Sequence, residues 1–428
     1  MSQQKQGGNI VAIIMMIFLF GMISFVTNLA APMGVILKNQ FELSNFMGLL
    51  GNVGNFIAYA VMGVPAGILL QKYGYKKTAL IAIAFGFVGV LIQYLSGHAS
   101  SFGVYLTGAF VAGFSMCLLN TVVNPMLNTL GGGGNKGNQL IQVGGSFNSL
   151  LATFTPAFVG ILIGEAAKAN ITDVFPVMYI AMGVFALTFF VLWTVSIPEP
   201  HAERSAEPIG NLMSGALKFR HFVLGAIGIF VYVGVEVGTP ATLNLWLSDA
   251  DASNVGATTA GSVAGTYWFL MLIGRLFGAS IGSKVSSKTM LTTASLVGMI
   301  LVVLAIILPV TSQVSLPVFQ SSDAGVSFGL AQVPINAMFL VLVGLCTSIM
   351  WGGIYNLAVE GLGKYLAAAS GLFMVMVCGG GILPAIQAWV ADLAGYQTSY
   401  WVMFAGLAYL LYYALIGSKN VNKDIPVN

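Results

Sequence analysis

Glu236 is a lone acid in an apolar setting. It lies within Phe230-Val231-Tyr232-Val233-Gly234-Val235-Glu236-Val237-Gly238-Thr239-Pro240, and no other acid, lysine or arginine occurs between Arg220 and Asp249. A run of that length can cross a bilayer and places the carboxyl well inside it, where an ionised side chain is costly and by default marks an ion or substrate path. Nothing adjacent in the sequence neutralises it. Tyr232, Glu236 and Thr239 follow the i, i+4, i+7 spacing of one helical face, so a polar stripe can face a shared interior while the valines face lipid or neighbours. Such an acid can take up and release a proton, or hold a cation together with other oxygens. The plainer alternative is a hydrogen-bonded structural acid.

A second group of residues is polar but uncharged. Asn52, Asn55 and Tyr59 (i, i+3, i+7) share one helical face, as do Asn120 and Asn124 (i, i+4). Later in the chain come Tyr267-Trp268, Trp351 with Tyr355 and Asn356, and then Gln387 and Trp389. Neutral amides that donate and accept, with aromatic rings for C–H faces, are what a polyhydroxylated neutral molecule needs. Buried amides also glue helices together, so each alone has a structural reading; their joint abundance favours a polyol site. Gln142 and Asn148 are six residues apart and point in different directions, and Asn148 is taken as the one facing the interior.

Other chemistries find little support. Cys117, Cys346 and Cys378 lack metal-ligand or C-x-x-C spacing, and His98, His201 and His221 form no metal pair. The run Gly131-Gly132-Gly133-Gly134 has no preceding strand, and Lys136 lacks the G-K-[ST] context, so it reads as a loop and not a phosphate cradle.

The elements that position these residues are membrane spans. The chain is 57% apolar and 7% charged, whereas a soluble domain carries about 25% charged residues. Apolar segments fall at 9–37, 44–71, 78–97, 101–130, 138–164 and 174–197, then at 219–247, 256–283, 289–310, 332–362, 365–394 and 397–418. Each reaches the roughly 20 residues a spanning helix needs. The expected fold is an all-α integral membrane protein with twelve transmembrane helices. Lys5, Lys72, Lys76, Lys77, Lys136, Arg204, Lys218, Arg220, Lys284, Lys288, Lys364, Lys419 and Lys423 collect on one side, against Lys38 and Lys168 on the other, with Arg275 near the inner end of segment 8. The positive-inside rule then puts both termini in the cytoplasm. The charged, proline-bearing stretch after Ile197 separates two pseudo-symmetric six-helix bundles: 1–197, a cytoplasmic linker 198–218, and 219–428.

The halves echo each other. Gly67, Gln71-Lys72, Gly74 and Lys76-Lys77 are answered by Gly274-Arg275, Gly278, Gly282, Lys284 and Lys288. The first of these loops resembles the signature of the major facilitator superfamily, with Gln71 where that signature usually has Asp. Gly344-Leu345-Cys346-Thr347-Ser348-Ile349, Leu362-Gly363-Lys364, Val377-Cys378-Gly379-Gly380-Gly381-Ile382 and Ala391-Asp392-Leu393-Ala394-Gly395 resemble the fucose permease branch, which also carries glucose and galactose transporters. Asn28-Leu29, Asn120-Thr121, Asn124-Pro125, Ser146-Phe147-Asn148-Ser149 and Tyr232-Val233-Gly234 extend the likeness along the chain. In the fucose permease, an Asp on helix 1 and a Glu on helix 4 are implicated in proton coupling and sugar binding. The flanking residues put Ala31 and Asn120 at those positions, and neither takes up a proton. That leaves Glu236 as the acid nearest mid-membrane, since Glu165 and Glu360 lie near segment ends.

The resemblance implies a secondary transporter that moves a hexose, a fucose-like sugar or a related polyol across the cell membrane by alternating access, with cation-coupled symport. Its substrate-binding candidates are Asn28, Asn52, Asn55, Asn120, Asn124, Asn148, Tyr232, Trp268, Trp351, Asn356 and Gln387, and Glu236 is the ion-coupling candidate. No enzyme activity, cofactor, metal or nucleic-acid partner is expected; a co-transported proton or sodium ion, the sugar and the lipid bilayer are the partners of a monomer. Alternatives are a sugar uniporter, a proton-driven exporter of drugs or metabolites, and a sugar sensor, which would need a signalling domain.

Overall fold

The computed structural model describes residues 10–27, 36, 45–163, 170–199, 208–249, 251–253, 255–322, 325–422 and 424–427. Ten of the described helices are long and apolar enough to cross a membrane. One belongs to the 55-residue helix Asn45–Ala99, which folds at Gly74 and so makes two crossings, α2 (45–73) and α3 (75–99). Gly74 has φ 80°, a left-handed value that favours glycine, and a Cβ there would strike the Glu199 carboxylate. That carboxylate accepts from the amides of Tyr75 and Lys76, which ties the turn to the end of the sixth crossing. The helix Gly134–Ile163, made less apolar by Asn138, Gln139, Gln142 and Asn148, brings the number of crossings to twelve.

In chain order the remaining crossings are α1 (Ile10–Thr27), α4 (Phe102–Leu130), α5 (Gly134–Ile163), α6 (Phe175–Thr194), α7 (Arg220–Ser248), α8 (Ala257–Ile281), α9 (Ser287–Ile307), α10 (Ile335–Val359), α11 (Gly363–Ala394) and α12 (Tyr396–Gly417). Helices are the only open-ended elements that satisfy their backbone in lipid. Pro65, Pro125, Pro240 and Pro384 each remove one helical donor from α2, α4, α7 and α11. α10 breaks at Ser348-Ile349 between Ile335–Thr347 and Met350–Val359, and α11 passes through a 3₁₀ turn at Met376–Cys378.

The turns at Gly74, Gly132–Gly134, the linker helix Ile209–Ala216, Gly361–Gly363 and the C-terminal segment lie at one end of the bundle, here the linker end. Gly132, Gly133 and Gly134 have φ of 79°, 71° and 54°, which explains a run of glycine better than any ligand does. At this end the first six helices meet the last six through bare backbone. A Cβ on Gly371 of α11 would lie 2.5 Å from the Gly63 carbonyl and 2.6 Å from the Gly67 Cα of α2. Small residues of this kind let helix backbones approach closely in lipid.

The opposite end carries an element that hydropathy does not register. Strands β1 (Gln313–Ser322) and β2 (Gly325–Pro334) form an antiparallel hairpin paired from Gln313↔Pro334 to Ser322↔Gly325. Its pattern has period two: Leu316, Val318, Ala331 and Val333 are buried, while Phe328 and Leu330 face outward. The all-α expectation therefore gains one hairpin, and its side of the bundle is called the hairpin end.

Candidate functional site

A continuous polar belt crosses the middle of the bundle and passes through both groups of six helices. On α4, Asn120 Nδ2 donates to Tyr59 OH of α2 over 2.7 Å, and Asn124 Nδ2 donates to Asn120 O over 2.9 Å. Asn55, one turn from Tyr59, is buried against Gly113 of α4. From α10, Trp351 Nε1 donates to Asn124 Oδ1 over 2.9 Å. The Trp351 ring lies 6.2 Å from Tyr232 of α7, within the range of aromatic pairs. Tyr232 OH in turn donates to Glu236 Oε1 over 2.8 Å.

Glu236 is not alone in the folded chain. Arg275 Nη2 of α8 lies 3.1 Å from Glu236 Oε1, which corrects both the expectation of an unneutralised acid and the placement of Arg275 among the charges of an inner helix end. Arg275 lies six residues before the end of α8 at Ile281; at 1.5 Å per helical residue that is a depth of about 9 Å. The spacing was the available signal for a buried cation. Arg275 Nη1 also reaches Ser149 Oγ at 2.7 Å, Gly145 O at 3.1 Å and Asn148 Oδ1 at 3.2 Å, all on α5. Its Nε donates to Ser348 O at the break of α10. Asn148 completes the belt: Oδ1 accepts from Ser24 Oγ of α1 over 3.0 Å, and Nδ2 donates to Phe20 O over 2.8 Å.

Between the belt and the linker end, amides latch the two groups together. Asn128 Nδ2 donates to Asn356 Oδ1 over 2.7 Å, and Asn356 Nδ2 to Ser287 Oγ over 2.9 Å. Gln139 Nε2 donates to Ala279 O, and Gln142 Nε2 to Ile349 O at the α10 break. Outside this latch a cleft of about 350 Å³ is lined by Asn128, Ser286, Lys288 and Glu360. The central polar residues are thus shut off at the linker end.

A model of the Major Facilitator Superfamily matches residues 13–340. The chain belongs to that superfamily. This major facilitator protein is 28% identical to the glucose/galactose transporter of Brucella abortus biovar 1 (strain 9-941), over 98% of this chain and 96% of the relative. It is 21% identical to the L-fucose-proton symporter of Escherichia coli (strain K12), over 84% of this chain and 82% of the relative. Among solved structures it is similar to the superfamily transporter FucP in the outward conformation, with a TM-score of 0.80 at 18% identity, over 96% of this chain and 100% of that one.

The site residues expected of this major facilitator protein separate into groups. Asn120, Asn124, Asn148, Tyr232, Trp351 and Glu236 come together in the belt. Asn356 belongs to the latch, three residues from the end of α10. Gln387 is fully buried between α11 and α7, with Oε1 against Gly238 and no hydrogen-bond partner for either amide atom among the described residues. Trp268 is half-buried on α8, two turns from Arg275, with its ring 5.4 Å from Tyr267. Asn28 and Ala31 lie outside the described residues, as does the side chain of Asn52. Trp389, expected among the interior rings, is 64% exposed on the outside of α11. Gln142 and Asn148 both find partners on the last six helices, because α8 and α10 flank α5 on two sides. Sequence reasoning missed Arg275, Ser24, Ser149 and Asn128.

Proposed function

We propose that the protein moves a neutral monosaccharide across the cell membrane by alternating access, coupled to a cation, with the belt as the sugar site and Glu236 as the ion-responsive residue. One observation carries this reading. The belt offers neutral hydroxyls, amides and rings from α1, α2, α4, α5, α7 and α10 at one level, and its one ion pair has no net charge. A polyol needs that donor and acceptor supply, whereas an exporter of amphipathic drugs needs a larger, greasier cavity. The names of the relatives support a hexose or fucose-like substrate. The E. coli relative's name also favours a proton as the coupling ion.

The accompanying organisation is bundles at 1–197 and 219–428 joined by a cytoplasmic linker at 198–218, in a monomer of the inner membrane. Both termini are assigned to the cytoplasm because lysine and arginine cluster at the linker end. A second reading, sugar uniport, is favoured by Arg275 itself, since a tethered guanidinium can neutralise Glu236 without a transported ion.

Uptake of labelled D-glucose, D-galactose and L-fucose into proteoliposomes, with proton and sodium gradients varied independently, separates these readings. Accumulation driven by a proton gradient, and lost in Glu236→Gln while sugar exchange persists, is the expected result. Equilibration without accumulation under either gradient selects uniport. Transport of none of the three sugars removes the sugar reading.

A further inference from the structure

Arg275 on α8 reaches three other helices of the belt with one side chain. Its guanidinium has five N–H donors in a rigid fork. They reach Glu236 Oε1 on α7, Ser348 O on α10, and Gly145 O, Asn148 Oδ1 and Ser149 Oγ on α5. The backbone makes room for it. Gly145 has no side chain where the Arg275 Cδ passes, and Gly274 lets α8 close on Ser348. Both partners of the ion pair are largely buried, at 11% and 14% exposure. A pair built only for stability has little reason to be there, because desolvation consumes most of its Coulomb gain. Here the cation spans the boundary between the first six and the last six helices, which a purely local pair would not need.

We propose that Arg275 is a positioning residue that converts protonation of Glu236 into sugar affinity at Asn148. The inference rests on the proposed reading of Glu236 as the proton site. With Glu236 ionised, all three guanidinium nitrogens are engaged. Asn148 is engaged on both sides of its amide: its Oδ1 accepts from Ser24 and Arg275, and its Nδ2 donates to Phe20 O. A proton taken from water onto the Glu236 carboxylate removes the anion that holds Nη2. The freed N–H donors then turn to oxygens of a sugar seated beside Asn148. No covalent bond other than the new O–H changes, and the guanidinium keeps its charge. By linkage, bound sugar raises the affinity of Glu236 for the proton by the same factor. Besides Arg275, the titratable groups facing Glu236 are Tyr232 on α7 and Tyr267 on α8, with Cys346 of α10 beside Tyr267; α5 presents Gly145, Asn148 and Ser149.

The test is D-galactose binding to the purified full-length protein from about pH 5 to about pH 8, with D-glucose as the probe if D-galactose does not bind. The wild type is expected to bind at least about fivefold more tightly at the acid end, the lower bound of ordinary site–site coupling. Glu236→Gln should bind with no pH dependence. A slope that survives in Glu236→Gln, or a flat wild-type profile, overturns the reading of Glu236 as the proton site and the relay with it. Given a flat Glu236→Gln, the relay is judged on Arg275→Gln and Arg275→Lys. Lysine keeps the charge that pairs Glu236, so this variant is expected to fold even where glutamine does not. Its single ammonium lacks the fork that reaches Glu236 and α5 together. Loss of the pH slope in a folded Arg275 variant, with sugar still bound, supports the relay. A wild-type slope in Arg275→Lys overturns it and leaves Arg275 a structural counter-ion.

Discussion

The indole Nε1 of Trp351 on α10 and the Oδ1 of Asn124 on α4 are 2.9 Å apart, joining the two groups of helices at the level of the belt. Trp351→Phe keeps a ring beside Tyr232 but leaves the Asn124 oxygen without this donor. An unpaired buried acceptor costs about 1 to 3 kcal/mol, or roughly a 5- to 150-fold loss of affinity if that geometry holds the sugar. Equilibrium binding of labelled sugar measures it. Unchanged affinity in Trp351→Phe and in Asn124→Ala would move the site away from this pair.

At the linker end α11 crosses α2 backbone to backbone at Gly371, Gly63 and Gly67, and closure there is expected to depend on this crossing as well as on the amide latch. Gly371→Leu is expected to hold that end open and to abolish net uptake, since overpacking of this kind typically costs about 1 to 3 kcal/mol. A cysteine at position 128, with Cys117, Cys346 and Cys378 replaced by alanine, should react faster with a water-soluble maleimide in the Gly371→Leu background. Equal reactivity in both backgrounds would show that this crossing is not the closing contact.

Asp249, just beyond α7, accepts from Tyr396 OH at 2.9 Å and from the Asp251 amide at 2.9 Å. The tyrosine hydrogen bond, followed by the Asp251 amide, holds its carboxyl below the usual range. A depressed carboxyl contributes stability that is present above its unfolded value, about 3.9, and lost as pH falls through the folded one. The tie between the end of α7 and the start of α12 should therefore be intact at neutral pH and weaken only in acid. Tyr396→Phe should move the Asp249 titration upward, as read by carboxyl NMR. A titration that stays put would assign the depression to the backbone amides of Asp251 and Ala252.

Orientation follows from the lysine and arginine distribution. A single cysteine at position 251 should react with an impermeant reagent added outside intact cells, while one at position 284 should be protected. The reverse pattern would invert the proposed topology.

Much of this protein is legible without coordinates, because lipid imposes length and composition on each span separately. Twelve apolar segments, a charged stretch after the sixth and glycines at the turns need only local information, and the crossings follow them closely. The mid-membrane acid is legible for the same reason, as are the Asn120/Asn124 face and Asn148. What segment-by-segment reading does not contain is which polar face meets which. Arg275 and Glu236 are thirty-nine residues apart on different helices, and only packing of α7 against α8 turns a lone acid into a paired one. Asn356 looks like Asn124 in sequence, but packing sends it to the latch with Asn128. Gln387 and Trp389 are two residues apart on α11, and the rotation of that helix buries the first against Gly238 and turns the second outward. The hairpin at 313–334 escapes a hydropathy window because its apolar residues alternate. The sequence by itself determined the spans and the stock of polar groups; the tertiary structure decided their partners, since hydrogen bonds and ion pairs between helices depend on helix rotation and depth, which no single segment specifies.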